Sequence, residues 1–583
     1  MQKIPNKKPF YRDRPLYFHD TLNYKDFLLA RKRVYRYLRT LTTGVFDTAH
    51  KVYMFKTMKK TKMVSFLGSC TKEASLAWAA EFTKWASKTF TQVGFLCGTA
   101  RARVGMASKV VHKRVSTLKL NSLSTYSKWI ALAKPSLRSC LFLNVSVNTK
   151  NFFFNALNYL RHCPRAKECQ ILSEGADHIL EALPLIRKLE NRIKFSLKVS
   201  HPAPSSIKHL QEFPDLEIQT SSFGCPNPEI MDTVKNACFF KNLKGMDLSL
   251  EASKNDLVVL SCLKQLANLK FLALKISPIN RCEWTFKDLI GFLTLPRDLR
   301  KLSLTFSRIK QDVEVDSFIL SRYDKCLEGI KNIEEDCIYY EFLSLFECLQ
   351  RLRILNLTFD YGEDASSLFY HVLGYAIAKR ARFLRELSIN IQTLMEDDTF
   401  CMFDINYLTQ FVPKDIEKIQ VEAPTIGSRK VPAIPVFNNI RSLNVTTTVR
   451  MSRPKEHQDG MMQLLKSLGS TSIQTLEFRG GVDVKSLDAI MNPWNFEKIE
   501  QATFVDIDDT HEAASPLSLV NSLVSKRYVN SFRLTFLKGN WDKEEFRKCV
   551  DSLISNNKLL HFSLCSPRLS VLRIYKDIIV REK

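Results

Sequence analysis

The sequence predicts an α/β solenoid of parallel strands and helices, preceded by a basic α-helical domain. Three observations lead to this prediction: an apolar hexad recurs along most of the chain, helical patterns separate its copies, and positive charge is concentrated near the N-terminus. The 583 residues are 45% hydrophobic and 25% charged, which is ordinary for a folded protein. The chain has 18 glycines, and this scarcity disfavours a turn-dense all-β fold.

The repeat is a hexad whose first, fourth and sixth residues are apolar. Its clearest copies are Leu269–Leu274, Leu299–Leu304, Leu352–Leu357, Leu384–Ile389, Ile416–Val421, Ile440–Val445, Ile473–Phe478, Ile499–Phe504, Val529–Leu534 and Leu559–Leu564. Weaker copies start near Arg138, Ala166, Arg192, Phe213 and Leu243. Successive copies start 21 to 33 residues apart, except for a distance of 53 between Leu299 and Leu352. A period of this length indicates stacked supersecondary units that share one core.

Helical patterns lie between the hexads. Residues Ile179–Leu189 and Leu257–Leu266 place apolar side chains at helical spacing shortly before a strand pattern. Each unit is therefore predicted to be a short strand plus a returning helix. Such a unit can bury its apolar face only against its neighbours.

This pattern resembles the leucine-rich-repeat family, in its longer, helix-bearing type, over about residues 136–583. The resemblance implies a leucine-rich-repeat solenoid whose sheet offers an extended face for binding protein. The chain departs from the family consensus at the place, three residues after the hexad, where Asn or Cys is usual. Ser277, Ser307, Asp360, Gln392 and Thr448 occupy that place. Because of this departure, a regular curvature of the solenoid is not implied, whereas the solenoid class itself still is. The alternative architectures are a HEAT-type helical array and a doubly wound α/β sheet.

Positive charge is concentrated in residues 1–140, which hold 28 Lys and Arg against 6 Asp and Glu, whereas the whole chain carries +26. We assign residues 1–135 to a basic helical arm that caps the solenoid. Residues 136–583 are assigned to the solenoid, with a longer, acidic repeat at about 307–351. A basic segment beside a nearly neutral body is expected to bind an acidic partner.

Three clusters carry the charge of the arm. The residues predicted to contact an acidic partner are Arg31, Lys32, Arg33, Arg36, Arg39, Lys51, Lys56, Lys59, Lys60, Lys62, Arg101, Arg103, Lys109, Lys113 and Arg114. Aromatic residues interleave with the lysines of 51–62, and RNA binding favours this arrangement because cations neutralise phosphates while rings stack on bases. An acidic protein surface and an anionic membrane surface fit the same charges, so three classes of partner stay open.

Trp78, Phe82 and Trp85 lie on one side of a helix predicted over residues 74–90. Side chains of this kind pack into a core or a groove of a partner protein, or they lie at a membrane interface. The helix is therefore a second candidate contact of the arm, for a partner or for a membrane.

Motifs of catalysis and of metal binding are missing from the sequence. It contains no glycine-rich phosphate loop, no G-x-S-x-G and no H-E-x-x-H. Asp506–Thr510 match the D-x-D-x-T start of haloacid-dehalogenase-like phosphatases, but the residues that follow are filled by two further hexads. The 15 cysteines include no C-x-x-C pair, which favours an intracellular, reducing compartment. Whether that compartment is cytoplasmic, nuclear or mitochondrial stays open.

The expected function is that of a non-enzymatic scaffold or adaptor subunit of a larger assembly. The solenoid would bind other proteins and the basic arm an acidic partner, without a cofactor, a metal ion or a small-molecule substrate. Two alternatives stay open: an RNA-binding structural component of a ribonucleoprotein, and a peripheral membrane-associated assembly subunit.

Overall fold

The computed structural model describes residues 40–43, 63–66, 92–95 and 117–121 and, with gaps, residues 137–582; the largest gaps are 308–344 and 448–471. Backbone contacts divide the chain into two compact units. Unit 1 contains residues 1–220, 242–244 and 574–581. Unit 2 contains residues 221–241, 245–573 and 582–583.

The strands of unit 1 pair in parallel, each with the next along the chain. They are β1 (Thr40–Thr43), β2 (Met63–Phe66), β3 (Gln92–Phe95), β4 (Thr117–Asn121), β5 (Ser139–Leu143), β6 (Glu168–Ser173), β7 (Lys194–Ser200) and β8 (Leu216–Ser221). Helix α1 (Asp177–Glu190) connects β6 to β7. Its buried residues Ile179, Ala182, Ile186 and Leu189 follow the predicted helical spacing, so this helix is confirmed.

Unit 2 continues the same strand pattern. Its strands, with those at the C-terminal end, are β9 (Leu243–Ala252), β10 (Phe271–Pro278), β11 (Lys301–Ser307), β12 (Ile354–Tyr361), β13 (Glu386–Thr393), β14 (Met402–Asp404), β15 (Lys418–Ala423), β16 (Thr425–Gly427), β17 (Ser442–Thr447), β18 (Ser472–Arg479), β19 (Lys498–Ile507), β20 (Val529–Phe536), β21 (His561–Cys565), β22 (Leu569–Ile574) and β23 (Asp577–Glu582). From β9 to β21 they pair in parallel in chain order, except that β14 and β16 pair only with each other.

The hexads coincide with these parallel strands, which confirms an α/β repeat architecture for the described residues. In the register of the sheet, Leu272 of β10 lies beside Met246 of β9 and Leu302 of β11, so apolar residues of successive repeats form continuous columns. The first, fourth and sixth hexad residues, such as Leu269, Leu272 and Leu274, are buried. Burial of these columns is the main favourable contribution to folding of such a stack.

Aromatic residues extend the apolar columns. Phe306 of β11 stacks on Phe359 of β12 with a centroid distance of 5.5 Å, and Phe478 of β18 stacks on Phe504 of β19 at 5.8 Å. Offset stacking at such distances adds to the free energy gained from burial alone. The repeats are therefore joined by side-chain packing as well as by the hydrogen bonds of the sheet.

Helices of unit 2 include α2 (Phe286–Phe292) and α3 (Pro516–Ser525). The segment between β9 and β10, predicted to be helical over Leu257–Leu266, is a 3₁₀ helix over Lys254–Gln265. Asp256, in its first turn, stabilises its start: Oδ2 of Asp256 accepts hydrogen bonds from the backbone N–H (3.0 Å) and the Oγ–H (2.6 Å) of Ser253. This pair satisfies groups that would otherwise be unpaired at the start of the helix.

Within residues 1–135 the described residues are those of strands β1–β4. Apolar residues at helical spacing also predict a helix over residues 26–41, but Leu41 lies in β1. Residues 26–39 and the helix predicted over 74–90 lie outside the described residues, as do residues 308–344 of the acidic repeat. The basic helical domain therefore stays a prediction.

Asp215 of unit 1 holds two lysines next to β8. Its Oδ2 lies 2.8 Å from Nζ of Lys194, and its Oδ1 accepts a hydrogen bond from Nζ of Lys244. The Asp215 side chain is only 14% exposed. Burial raises the pKa of this carboxyl, but hydrogen bonds from Lys194 and Lys244 outweigh burial and leave the pKa below its ordinary value. The carboxylate form is thus favoured by the folded state.

We expect Asp215→Asn to lower the free energy of unfolding of unit 1 by about 1–2 kcal/mol at neutral pH. Because the pKa is lowered on folding, the carboxylate contributes fully above about pH 4, and its contribution falls as the pH drops through the folded-state pKa. Hydrogen exchange of β7 and β8 amides measures both effects. Asp232→Asn is the control, since Asp232 is exposed and its ion pair with Lys235 is long, at 4.0 Å. Equal effects of the two substitutions would contradict the prediction.

Candidate binding surfaces of the repeat sheet

One face of the unit 2 sheet is polar, because the residues between the apolar hexad positions alternate to the side opposite the core. Half-buried members of this polar face are Asp247, Ser249, Ser303, Thr305, Asn356, Thr358, Ser388, Asn390, Gln420, Glu422, Asn444, Thr446 and Glu477. Lys275 and Arg479 are exposed members. The face therefore offers hydroxyl, amide and carboxylate groups to solvent over many strands.

Hydrogen bonds join polar residues of adjacent strands on this face. Nδ2 of Asn390 donates to Glu422 (3.2 Å), and Nδ2 of Asn444 donates to Glu477 (3.3 Å). Among the described residues, however, the buried Oδ1 of Asn390 accepts no hydrogen bond. A buried acceptor without a donor costs free energy.

A second surface lies at the edge where strands β11 to β17 begin. It is a groove of about 570 Å³, which we call the arginine groove. Its basic lining residues are Arg300, Arg351, Arg353, Arg382, Arg385 and Arg441, and its other lining residues are Gln350, Phe383, Leu384, Asp415, Glu417 and Asn439. Arginines outnumber carboxylates by six to two in this lining, so the groove is positively charged.

The repeat itself builds the arginine groove. Arg300, Arg353, Arg385 and Arg441 each occupy the second position of a hexad, and Glu417 occupies it in the hexad between the last two. The backbone N–H of Arg353 donates to the carbonyl of Arg300, and that of Arg385 donates to Arg353, both at 2.9 Å. Neighbouring members are therefore placed about one strand spacing apart, roughly 4.8 Å.

Carboxylates hold several of these arginines in place. Asp298 lies 2.8 Å from Nη1 of Arg351 and 3.0 Å from Nζ of Lys270. The hydrogen bond from Lys270 lowers the pKa of Asp298, and the charge of Arg351 adds to this effect. Glu417 lies 2.6 Å from Nη1 of Arg385 and 3.7 Å from Nη1 of Arg441.

Arg353 and Arg382 differ from these paired arginines. In the part of the chain that the structure describes, neither guanidinium forms an ion pair or a hydrogen bond. Beside Arg382 lies Phe383, whose side chain is 67% exposed. The groove thus combines cations that form no ion pair among the described residues, cations oriented by carboxylates, and an exposed aromatic ring.

The site residues predicted from the sequence lie outside the described residues. This holds for the fifteen basic residues between Arg31 and Arg114 and for Trp78, Phe82 and Trp85. None of the six groove arginines belonged to that prediction. An alignment of the hexads on their second position would have pointed to four of them, because Arg300, Arg353, Arg385 and Arg441 then form a basic column that only Glu417 interrupts.

Groups for chemistry are sparse in the described residues. No cluster of three or more His, Cys, Asp or Glu side chains there could hold a metal ion. Asp506 of the phosphatase-like pattern lies in β19, whereas Asp508 and Asp509 lie outside the described residues. No helix among the described residues combines the length and the hydropathy needed to cross a bilayer. Comparison with protein-family models and with curated proteins returns no match to the chain.

Proposed function

We propose that the chain is a leucine-rich-repeat scaffold, a non-enzymatic adaptor subunit of a larger assembly. It binds protein along the polar face of unit 2 and an acidic partner through the basic arm. The polar face carries the proposal: an open, parallel-stranded surface with hydroxyl, amide and carboxylate groups in register across successive repeats.

Two features of this face support a protein ligand. Its charged members have both signs, as in Glu422, Glu477 and Lys275, so no single charge of partner is favoured. Its half-buried amide and hydroxyl groups, such as those of Asn356 and Ser388, can exchange hydrogen bonds with the backbone N–H and carbonyl groups that any protein partner offers. Repeat arrays use such extended faces for binding.

The test is affinity purification of the full chain and of the double variant Asn356→Arg/Ser388→Arg. Both substitutions add bulk and charge to the polar face at half-buried positions. We expect the variant to lose its co-purifying proteins, since a buried, unpaired charge at an interface costs about 2–5 kcal/mol. The control Asn255→Arg/Gln265→Arg adds the same charge at exposed positions of the 3₁₀ helix and should keep those proteins.

Sedimentation of the native assembly, with and without ribonuclease, completes the test. A heavy species that resists ribonuclease and is lost in the polar-face variant supports the scaffold. If the polar-face variant co-purifies with the same proteins as the unchanged chain, the scaffold proposal is wrong. Collapse of the heavy species after ribonuclease would favour the ribonucleoprotein alternative, with RNA rather than protein holding the assembly together.

A further inference from the structure

We propose that the arginine groove binds single-stranded nucleic acid, with its guanidinium groups on phosphates and Phe383 stacked on a base. This site goes beyond the scaffold function. It also uses none of the residues of the basic arm.

The type of cation supports a phosphate ligand. All six basic residues of the lining are arginines, although lysines outside the lining lie nearby in sequence, such as Lys301 and Lys418. A planar guanidinium donates two parallel hydrogen bonds to one phosphate, which an ammonium cannot do. Along the groove these arginines recur from strand to strand, so they can follow a chain of phosphates rather than a single anion.

The ion pairing of the arginines supports phosphate binding as well. Arg353 and Arg382 form no ion pair with a carboxylate among the described residues, so a phosphate can bind them without displacing a carboxylate. Arg351 and Arg385 are each held through Nη1 by a carboxylate, which limits the side-chain entropy lost on binding. The groove is therefore partly organised for an anion before it binds one.

Phe383 and the two lining carboxylates distinguish nucleic acid from an acidic peptide. The exposed Phe383 ring can stack on an unpaired base. Asp415 and Glu417 can accept hydrogen bonds from the N–H groups on base edges, and the carboxylate side chains of an acidic peptide offer no such donors. A base accessible to both stacking and edge contacts belongs to a single strand.

The experiment uses the full chain and a short uridylate RNA that carries photoreactive 5-iodouracil. Because the basic arm has its own charges, a cross-link mapped by peptide sequencing provides the site-specific readout. We expect a cross-link at Phe383. In Phe383→Ala this cross-link is lost and affinity falls by about 5- to 100-fold. Val258→Ala is the matched control, since Val258 is the other exposed large apolar residue among those described, and it should change neither.

The charge test is the double variant Arg353→Gln/Arg382→Gln, with Lys264→Gln/Lys548→Gln as a control of equal charge at exposed positions. We expect the groove variant to bind RNA about 10-fold more weakly and to show a shallower salt dependence, by about 1.4 in the log–log slope, or roughly 0.7 per lost phosphate contact. Unchanged thermal unfolding midpoints exclude a folding defect.

Three outcomes would overturn the proposal. The cross-link could map only to residues 1–135. Both groove variants could bind RNA as the controls do. Polyglutamate could bind the groove with the same dependence on Arg353 and Arg382 but none on Phe383, which would make an acidic protein the ligand. A deoxyuridylate DNA of equal length tests the sugar: equal binding assigns the site to single strands in general, and preference for RNA indicates contact with the 2′-hydroxyl. The polar-face variant should keep the cross-link, so each proposal can fail without the other.

Discussion

Replacement of Trp284 by alanine is expected to destabilise unit 2 by about 4–5 kcal/mol. Trp284 is 1% exposed, and it is the largest fully buried side chain among the described residues. Its Nε1–H donates a 2.8 Å hydrogen bond to the carbonyl of Ala252, the last residue of β9. The substitution therefore leaves a cavity and removes one of two hydrogen bonds to the Ala252 carbonyl, which keeps the longer one from the backbone N–H of Ile279 (3.3 Å).

Hydrogen exchange of the β9 and β10 amides in urea measures this effect locally, which is needed because repeat arrays need not unfold in one step. Trp284→Phe separates the two contributions: it keeps most of the ring volume and loses the hydrogen bond, with an expected cost of about 1–2 kcal/mol. Phe383→Ala is the exposed control and should cost little. A loss for Trp284→Ala no larger than that of Phe383→Ala would contradict the prediction.

The strands could be predicted because their signal is local and repeated. Within one hexad, such as Leu302 and Leu304, alternation fixes which side of the strand is buried. Repetition then fixes the parallel register, since each apolar column must continue into the next repeat. The helix type after β9 could not be predicted in this way. Leu257, Leu260, Leu263 and Leu266 recur every three residues, which fits a 3₁₀ helix and an α-helix alike.

The arginine groove was missed for two physical reasons. Its members are far apart in sequence: Arg300 and Arg353 are separated by the longest interval between hexads and become neighbours only when the repeats stack. In addition, residues 141–583 hold 58 basic and 54 acidic residues, and such a balance conceals a local excess. Net charge therefore indicates only the basic arm, although a charged surface depends on where cations lie and not on their sum.

Arg192 of unit 1 shows how a charged residue can replace an apolar one in this repeat. It stands at the first hexad position, where most copies have Leu or Ile, while the next residue, Ile193, is fully buried. Its Nη1 donates to the carbonyl of Cys163 (2.9 Å), and its Nη2 donates to the carbonyl of Leu160 (2.5 Å). One guanidinium thus joins its own repeat to two carbonyls of the preceding one, each of which also accepts a backbone N–H, from Cys163 (3.0 Å) and from Ala166 (3.2 Å).

We expect Arg192→Met to destabilise unit 1 by about 3–4 kcal/mol, because it keeps the apolar stem but removes both charge-assisted hydrogen bonds. Lys188→Met, at an exposed position of α1, is the control and should be nearly neutral. Hydrogen exchange of the β6 and β7 amides reports both. Arg192→Lys decides between charge and shape: an ammonium cannot reproduce the fork, so we expect it to recover less than half of the loss. Full recovery by lysine would mean that the positive charge beside the carbonyls, and not the bidentate geometry, joins these repeats.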